Sequence, residues 1–258
     1  MRIDRLRLLS LDASGLVEFY RSVFGADLLN SGVMLGEQRI EIAQAETPDR
    51  GDFAANETGF QHFAIVVADI DAAYAHLCGF GGWRPISLSG PERLPRASGR
   101  GAAFKFRDPC GHPLELLQFA PGSIPPHWGA RIADAPECLF YGIDHTALTV
   151  SDAEASRAFY ARLGFECAHR HINAGAEQIH LDGLADAAEV SVEILSLSPA
   201  DGARPGIELL AYREPPVVSR SAHDGAPAAT CMVISGDPGQ ERPTRDFDGH
   251  RLEFVARR

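Results

Sequence analysis

The chain has 258 residues, of which 45% are hydrophobic and 23% charged, and its formal net charge is −11 at pH 7. This composition is that of an ordinary globular protein and excludes disordered, collagen-like and coiled-coil chains. The acidic balance argues against nucleic acid or an anionic membrane as a partner, and no run approaches the roughly 20 apolar residues that span a bilayer. Five widely spaced cysteines without a C-x-x-C pair argue against a disulfide framework or a zinc knuckle. Because the charged start Met1–Arg7 also lacks the apolar run of a secretory signal, we expect a soluble protein of the reducing cytoplasm.

The first part of the chain predicts a strand, a helix and then short strands. The run Ile3–Leu11 favours a strand, and apolar residues at helical spacing follow until Gly25 ends the helix. That apolar stripe consists of Leu16, Phe19, Tyr20, Val23 and Phe24. The run Arg39–Ala43 closes this first unit as a further strand.

The same order of elements recurs in a second and a third unit. Unit two opens on the strand Phe60–Val67, continues with a helix that ends at Gly79, and closes at Leu114–Phe119. Unit three opens on Ile143–Val150 and closes at Gly206–Tyr212. Its helix begins with the capping box Ser151-x-x-Glu154. The repeating unit is therefore predicted to be βαβββ.

A fourth unit is predicted from about residue 222, and it is shorter. It offers the apolar run Thr230–Ile234 and the final strand Arg251–Val255, without a convincing helix between them. Longer motifs show that the two halves of the chain are copies. Ile3-Asp4-Arg5 recurs as Ile143-Asp144-His145, and the run Arg107–Glu115 recurs as Arg245–Glu253. We predict one half over 1–120 (modules 1–50 and 59–120), a Pro-rich linker over 121–140, and a second half over 141–258 (modules 141–215 and 222–258).

Histidines and glutamates recur at corresponding places in these units. The opening strands of units two and three carry His62 and His145, and every closing strand carries a glutamate between branched apolar residues. Those glutamates are Glu41, Glu115, Glu208 and Glu253. Because side chains alternate along a strand, each glutamate points away from the helix layer. On the inside of a curved sheet a carboxylate is costly unless it is paired or holds a metal.

These patterns have simpler alternatives. A glutamate between apolar residues can face water, and Val192-Glu193-Ile194 has the same pattern one strand before Glu208. The histidines of the two Gly-His turns, His112 and His250, are predicted to position their turns. For His169 and His171, at spacing two on one strand, an exposed polar face is favoured over a metal site.

On the motifs at Arg107–Leu116 and Ile143–His145 the chain resembles the vicinal oxygen chelate superfamily. That superfamily includes glyoxalase I, extradiol ring-cleaving dioxygenases, methylmalonyl-CoA epimerase, and the bleomycin and fosfomycin resistance proteins. The resemblance covers nearly the whole chain. It implies an α+β, glyoxalase-like fold in which four βαβββ modules, the fourth truncated, pair into two cup-shaped mixed sheets.

The resemblance also implies a ligand set. His62, Glu115, His145 and Glu208 would hold one divalent ion of Fe, Mn, Ni, Co or Zn, with Glu208 preferred over Glu193 because Gly-Ile-Glu-Leu-Leu is closer to the closing strand of the family. At the corresponding places unit one has Arg5 and unit four has Thr230 or Cys231. If modules pair in chain order, each cup has one histidine and two carboxylates. If units two and three share a cup, that cup holds all four predicted ligands, and we favour this pairing.

The resemblance implies an enzyme that acts on a small oxygenated substrate by chelating two vicinal oxygens. Whether the reaction is that of a lyase, an isomerase or a ring-cleaving dioxygenase stays open, and Glu115 or Glu208 is the candidate general base. The alternative is a metal-free protein that sequesters a small molecule, as bleomycin resistance proteins do. The assembly stays open between a monomer and a homodimer.

Overall fold

The computed structural model describes residues 1–47, 52–95, 100–220, 226, 230–236 and 243–257. Its helices are α1 (Ala13–Phe24), α2 (Ile70–Cys78), α3 (Pro126–Asp134), α4 (Ala153–Arg162) and α5 (Ala176–Asp182). Its strands are β1 (Arg2–Ser10), β2 (Asp27–Leu29), β3 (Gly32–Leu35), β4 (Gln38–Gln44), β5 (Gln61–Val67), β6 (Arg84–Pro85), β7 (Glu92–Arg93), β8 (Ala102–Arg107), β9 (Pro113–Gln118), β10 (Phe140–Thr149), β11 (Phe165–Ala174), β12 (Ser191–Pro199), β13 (Gly206–Glu214), β14 (Cys231–Ser235) and β15 (Arg251–Val255). Part of the predicted fourth unit, including 237–242 between β14 and β15, lies outside the described residues.

Helix α1 forms where the sequence predicts it because both of its ends are capped. The Asp12 side chain accepts a hydrogen bond of 2.9 Å from the backbone N–H of Gly15. Gly25 ends the helix at a φ of 65°, a left-handed conformation that glycine adopts without strain. Asp69 and Asp152 cap α2 and α4 in the same way. The predicted capping box Ser151-x-x-Glu154 is therefore wrong, because Asp152 is the N-cap and the Glu154 carboxylate pairs with Arg157 and Arg170. Local sequence therefore determines where these three helices begin.

The strands form two mixed sheets, and each sheet combines units from different halves of the chain. The larger sheet has the order β11-β12-β13-β10-β5-β9-β8-β6, with β7 paired to β8. The six-stranded sheet has the order β15-β14-β1-β4-β3-β2. The antiparallel pair β5–β10 joins unit two to unit three, and the antiparallel pair β1–β14 joins unit one to unit four. Of the two pairings compatible with the sequence, the chain thus adopts the one that combines units two and three.

The closing glutamates have equivalent positions in the two sheets. Across parallel strand pairs, the register partners are Ala64–Glu115, Ala147–Glu208, Arg7–Glu41 and Val233–Glu253. The residues two positions before these partners, on the same face of the strand, are His62, His145, Arg5 and Cys231. The register therefore identifies Cys231, rather than Thr230, as the counterpart of the histidines in the fourth unit.

The apolar faces of α1, α2 and α4 pack with both sheets into one main core. Strand β8 shows how the sheet separates this core from the site. Phe104 and Phe106 are buried in the core, whereas Lys105 between them points to the opposite face. Polar side chains on that opposite face are thus held rigidly by a strand whose other face is fully packed.

The segment predicted as a linker, 121–140, contains the short helix α3. Trp128 anchors this helix, because its side chain is fully buried and its Nε1–H donates to Asp144 Oδ1 at 2.5 Å. Among the described residues, none of the helices is long and apolar enough to cross a membrane.

Candidate metal centre

The four residues predicted as ligands lie on four strands of the larger sheet and line one cavity. His62 is on β5, Glu115 on β9, His145 on β10 and Glu208 on β13. The strand order β13-β10-β5-β9 places these strands side by side. The site therefore depends on the β5–β10 pairing, which brings residues from the two halves of the chain next to each other.

The ligand atoms of His62, Glu115 and His145 are spaced as for one metal ion, whereas Glu208 lies outside this group of three. His62 Nε2 lies 3.2 Å from Glu115 Oε2, and His145 Nε2 lies 3.3 Å from Glu208 Oε2. One ligand atom from each of His62, Glu115 and His145 lies within 4.8 Å of the other two. Ligand atoms about 2.0–2.2 Å from a common ion are about 2.8–3.6 Å apart when they are neighbours in an octahedral or tetrahedral shell. The two close contacts have the length of such neighbouring positions.

His62 supplies a further observation that favours a metal. Its side chain is 2% exposed, and neither ring nitrogen has a hydrogen-bond partner among the described residues, since the contact with Glu115 lacks hydrogen-bond geometry. A buried imidazole without a partner is costly. Coordination of an ion by Nε2 removes part of this cost, so the residues present fit a divalent metal.

The carboxylate of Asp144 orients the imidazole ring of His145. Its Nδ1 lies 3.0 Å from Asp144 Oδ2, which leaves Nε2 directed at the glutamates. Asp144 is itself held by the Trp128 indole and lies 3.5 Å from the Arg204 guanidinium. Histidines that ligate metals typically bond through their other nitrogen to such a carboxylate, which fixes the ring and raises its basicity.

The electrostatics of the cluster are set by burial and by the charges of neighbouring side chains. Burial alone would lower the pKa of His145, but the Glu208 charge and the hydrogen bond to Asp144 outweigh it and raise that pKa to about 9. Burial raises the pKa of Glu115, yet the neighbouring His62 and Lys105 lower it overall to about 2. Burial, assisted by the Lys105 charge, lowers the pKa of His62. In the metal-free protein, Glu115 is therefore ionised and His145 is protonated at neutral pH.

Lys105 and Asp182 form a second buried ion pair beside the cluster, which the sequence argument missed. Lys105 Nζ lies 2.6 Å from Asp182 Oδ1 and 3.7 Å from Glu115 Oε2. Asp182 Oδ2 also accepts hydrogen bonds of 2.7 Å from Gln178 Nε2 and from the Tyr212 hydroxyl. The one available signal was a lysine inside the apolar run Ala102–Arg107. Asp182 and Gln178 belong to α5, a helix not predicted from the sequence.

The four predicted ligands and Lys105 line a cavity of about 480 Å³, within the usual size range of small-molecule sites. Its wall is partly apolar, through Leu181, Val192, Ile194 and Leu210. Its polar part includes His169, His171 and Asn173 of β11 in addition to the cluster. The cavity can thus hold a small molecule with one oxygenated end and one apolar side.

The other candidate residues have different roles. The Glu193 carboxylate forms ion pairs with Arg170 at 2.5 Å and with Arg213 at 3.0 Å, whereas Glu208 lies beside His145. Of the two glutamates, Glu208 is therefore the one next to His145. Each turn histidine makes a hydrogen bond to the surrounding structure, which is consistent with the expectation that it positions its turn. His112 Nδ1 bonds to Asp108 Oδ2 at 2.8 Å, and His250 Nε2 bonds to the Thr149 carbonyl at 2.9 Å.

The equivalent place in the six-stranded sheet holds guanidinium groups. Arg5 Nε lies 2.5 Å from Glu41 Oε2, and Arg7 bridges Glu41 at 3.0 Å and Glu253. The remaining position is the buried thiol of Cys231, whose pKa burial raises to about 12. Two carboxylates that could have held an ion are thus neutralised by arginines. The described residues of this sheet form an ion-pair network at the place where the larger sheet has the His/Glu/His cluster.

Comparison with known proteins agrees with this architecture. The chain superposes on glyoxalase I from Zea mays with a TM-score of 0.54 at 19% identity, over 90% of this chain and 74% of that chain. It superposes on a protein described as a candidate dioxygenase from Bacillus subtilis with a TM-score of 0.53 at 13% identity, over 92% of this chain and 71% of that chain. At these identities the likeness establishes the fold alone. No curated protein sequence matches the chain.

Paired βαβββ units in mixed sheets, with a His/Glu/His cluster on one of them, define an α+β protein of the glyoxalase-like class. The sequence itself matches the Glyoxalase/Bleomycin resistance protein/Dioxygenase superfamily over residues 2–116 and 142–254. The chain belongs to this superfamily, and both halves contribute to the match.

Proposed function

We propose that the protein is a divalent-metal-dependent enzyme that acts on a small oxygenated substrate by binding two vicinal oxygens. The observation that carries this proposal is the cluster of His62, Glu115 and His145, whose ligand atoms converge within 4.8 Å at the wall of a cavity. Glu208 completes the proposed ligand set, since it lies 3.3 Å from His145 Nε2.

A divalent ion held by these side chains supplies Lewis-acid chemistry, because it polarises a substrate carbonyl or hydroxyl. The side chains of the protein would orient the ligands and shape the substrate site. Asp144 keeps Nε2 of His145 directed into the site, and the apolar wall excludes water from one side of the substrate. Lys105 fixes Glu115 by its charge, which supports a purely ligating role for that glutamate.

Glu208 is the better candidate for moving a proton. Its side chain is 21% exposed, against 9% for Glu115, and Ser196 Oγ donates to its Oε1 at 2.8 Å. With Oε1 held by Ser196, Oε2 would serve as a ligand atom that can be released to take a substrate proton. Glu208 would thus act as general base, and the test is Glu208→Gln, which should lower kcat more than it lowers metal content.

The experiment that tests the proposal is elemental analysis of the purified protein and of chelated protein reloaded with Fe, Mn, Ni, Co or Zn. We expect close to one ion per chain in the native protein, and loss of that ion in both His62→Ala and His145→Ala. His171→Ala is the matched control, because His171 lines the same cavity outside the cluster. Absence of bound metal under every loading condition would refute the proposal and favour the metal-free sequestering protein.

The reaction class needs a second assay. With Fe(II) loaded, consumption of oxygen in the presence of a catechol would indicate ring cleavage. Exchange of a carbon-bound hydrogen of an α-hydroxyketone with solvent deuterium, without oxygen uptake, would indicate lyase or isomerase chemistry.

A further inference from the structure

A second cavity, of about 370 Å³, lies away from the metal-type cluster. It is lined by the start of β1, by residues of β3 and β4, by the first turn of α3 and by the loop 202–205. No part of the proposed function uses it. Its volume is within the range of small-molecule sites.

The lining of this second cavity is rich in arginine, although the whole chain has a net charge of −11. Four guanidinium groups line it, those of Arg2, Arg5, Arg39 and Arg204, against the two carboxylates of Asp4 and Glu37. Both carboxylates already have cationic partners, since Asp4 pairs with Arg5 at 2.6 Å and Glu37 with Arg131 at 2.6 Å. The acids of the lining therefore do not neutralise its remaining cations.

Two of the four arginines also have carboxylate partners. Arg5 is bound by Asp4 and Glu41, and Arg204 lies 3.5 Å from Asp144. The other two, Arg2 and Arg39, have no ion pair with any residue that the structure describes. The second cavity thus has two positive charges without a protein counter-charge.

The position of Arg39 makes this imbalance costly. Arg39 of β4 is the register partner of Arg5 on β1, so the two side chains leave the sheet next to each other. Like charges directly opposite on neighbouring strands destabilise a sheet. Glu41 compensates Arg5, and Arg39 stays half-buried at the cavity wall. An anion in the cavity would supply the missing counter-charge.

We propose that the second cavity binds a small polyanion, with Arg39 as its main anchor and Arg2 as a second contact. The chemical class is a phosphate ester or a compound with two or more carboxylates, because a guanidinium presents a planar fork that matches these groups with two hydrogen bonds. The half-buried side chain of Met34 in the same lining would accommodate a short carbon skeleton. This proposal does not depend on a metal at the other site.

The test is isothermal titration calorimetry of the full chain, in low-salt chloride buffer with chelator, using inorganic phosphate and citrate as separate probes. We expect saturable binding of one or both, weakened at least tenfold in Arg39→Gln and several-fold in Arg2→Gln. Preference for phosphate or for citrate distinguishes a phosphorylated from a polycarboxylate ligand. Arg21→Gln is the matched control, because Arg21 lies on α1, outside the lining.

A second variant distinguishes binding inside the cavity from nonspecific attraction of anions to surface arginines. Ala203 lines the cavity, so Ala203→Phe should fill it and abolish binding while all arginines remain. Circular dichroism and the Tm without anion check that each variant is folded. The proposal is overturned if neither anion binds the unchanged protein at millimolar concentration, or if Arg39→Gln and Ala203→Phe bind as tightly as Arg21→Gln.

Discussion

The buried pair of Lys105 and Asp182 gives a quantitative test of how the site is held together. Both side chains are almost wholly removed from solvent, and their charged atoms lie 2.6 Å apart. Burial lowers the pKa of Lys105, but the charges of Asp182 and Glu115 outweigh burial and raise it above its ordinary value. The lysine is therefore charged at neutral pH, and Lys105→Met removes one partner from a buried ion pair.

The remaining Asp182 would keep only the neutral donors Gln178 and Tyr212. An uncompensated buried charge of this kind costs about 3–5 kcal/mol of unfolding free energy. For a chain of this size that loss lowers the Tm by roughly 6–20 °C. Lys105→Met/Asp182→Asn removes both charges, so we expect it to recover at least half of the loss.

The measurement is urea unfolding followed by circular dichroism, in buffer with chelator so that metal binding does not contribute. Arg84→Gln is the control, because its partner Asp52 lies at 2.9 Å in an exposed pair that should contribute less than about 1 kcal/mol. If Lys105→Met costs no more than Arg84→Gln, or if the double variant is as unstable as the sum of its single variants, the reasoning from burial is wrong.

Three further results are expected. Asp144→Asn weakens the support of His145, so metal affinity measured by competition with a chelator should fall about 10–100-fold while the fold is retained. Burial raises the pKa of Glu41, but its arginine partners lower it overall. Its contribution to stability is thus complete above the unfolded value near 4.5 and is lost as pH falls through the lower folded value. Unfolding by urea at pH 7 and pH 3 should show a loss for Glu41→Gln at pH 7 that shrinks at pH 3, and equal losses would contradict this. A thiol reagent at pH 8 should label the exposed cysteines at once and the buried Cys231 only after unfolding; the exposed ones are Cys78, Cys138 and Cys167.

Much of the architecture could be predicted because it is encoded over short distances in the sequence. The apolar stripe of α1 and its glycine stop both lie within one helix, and the structure confirms them. The repeated motifs likewise identify the units and the place of one histidine and one glutamate in each of units two and three. Those four residues line one cavity, as the pairing of units two and three predicted.

Other parts of the candidate site depend on contacts between distant segments. Asp182 meets Lys105 because α5 packs beside β8, and no pattern in either segment points to the other. The choice between Glu193 and Glu208 depends on which strand neighbours β10, since both strands have the same local pattern. The helix α3 in the predicted linker is stabilised by Trp128, which binds Asp144 beside the site.

The sequence by itself determined the βαβββ units, their number and the ligand types that they carry, because strand alternation, helical spacing and caps act between near neighbours. The tertiary structure alone decided which units share a sheet. It thereby decided that the histidines meet on the larger sheet and the arginines on the six-stranded sheet. The physical reason is that a strand edge can pair with more than one partner. The choice among partners is made by the packing of the whole core, in which His62 and His145 become neighbours although 82 residues separate them in the chain.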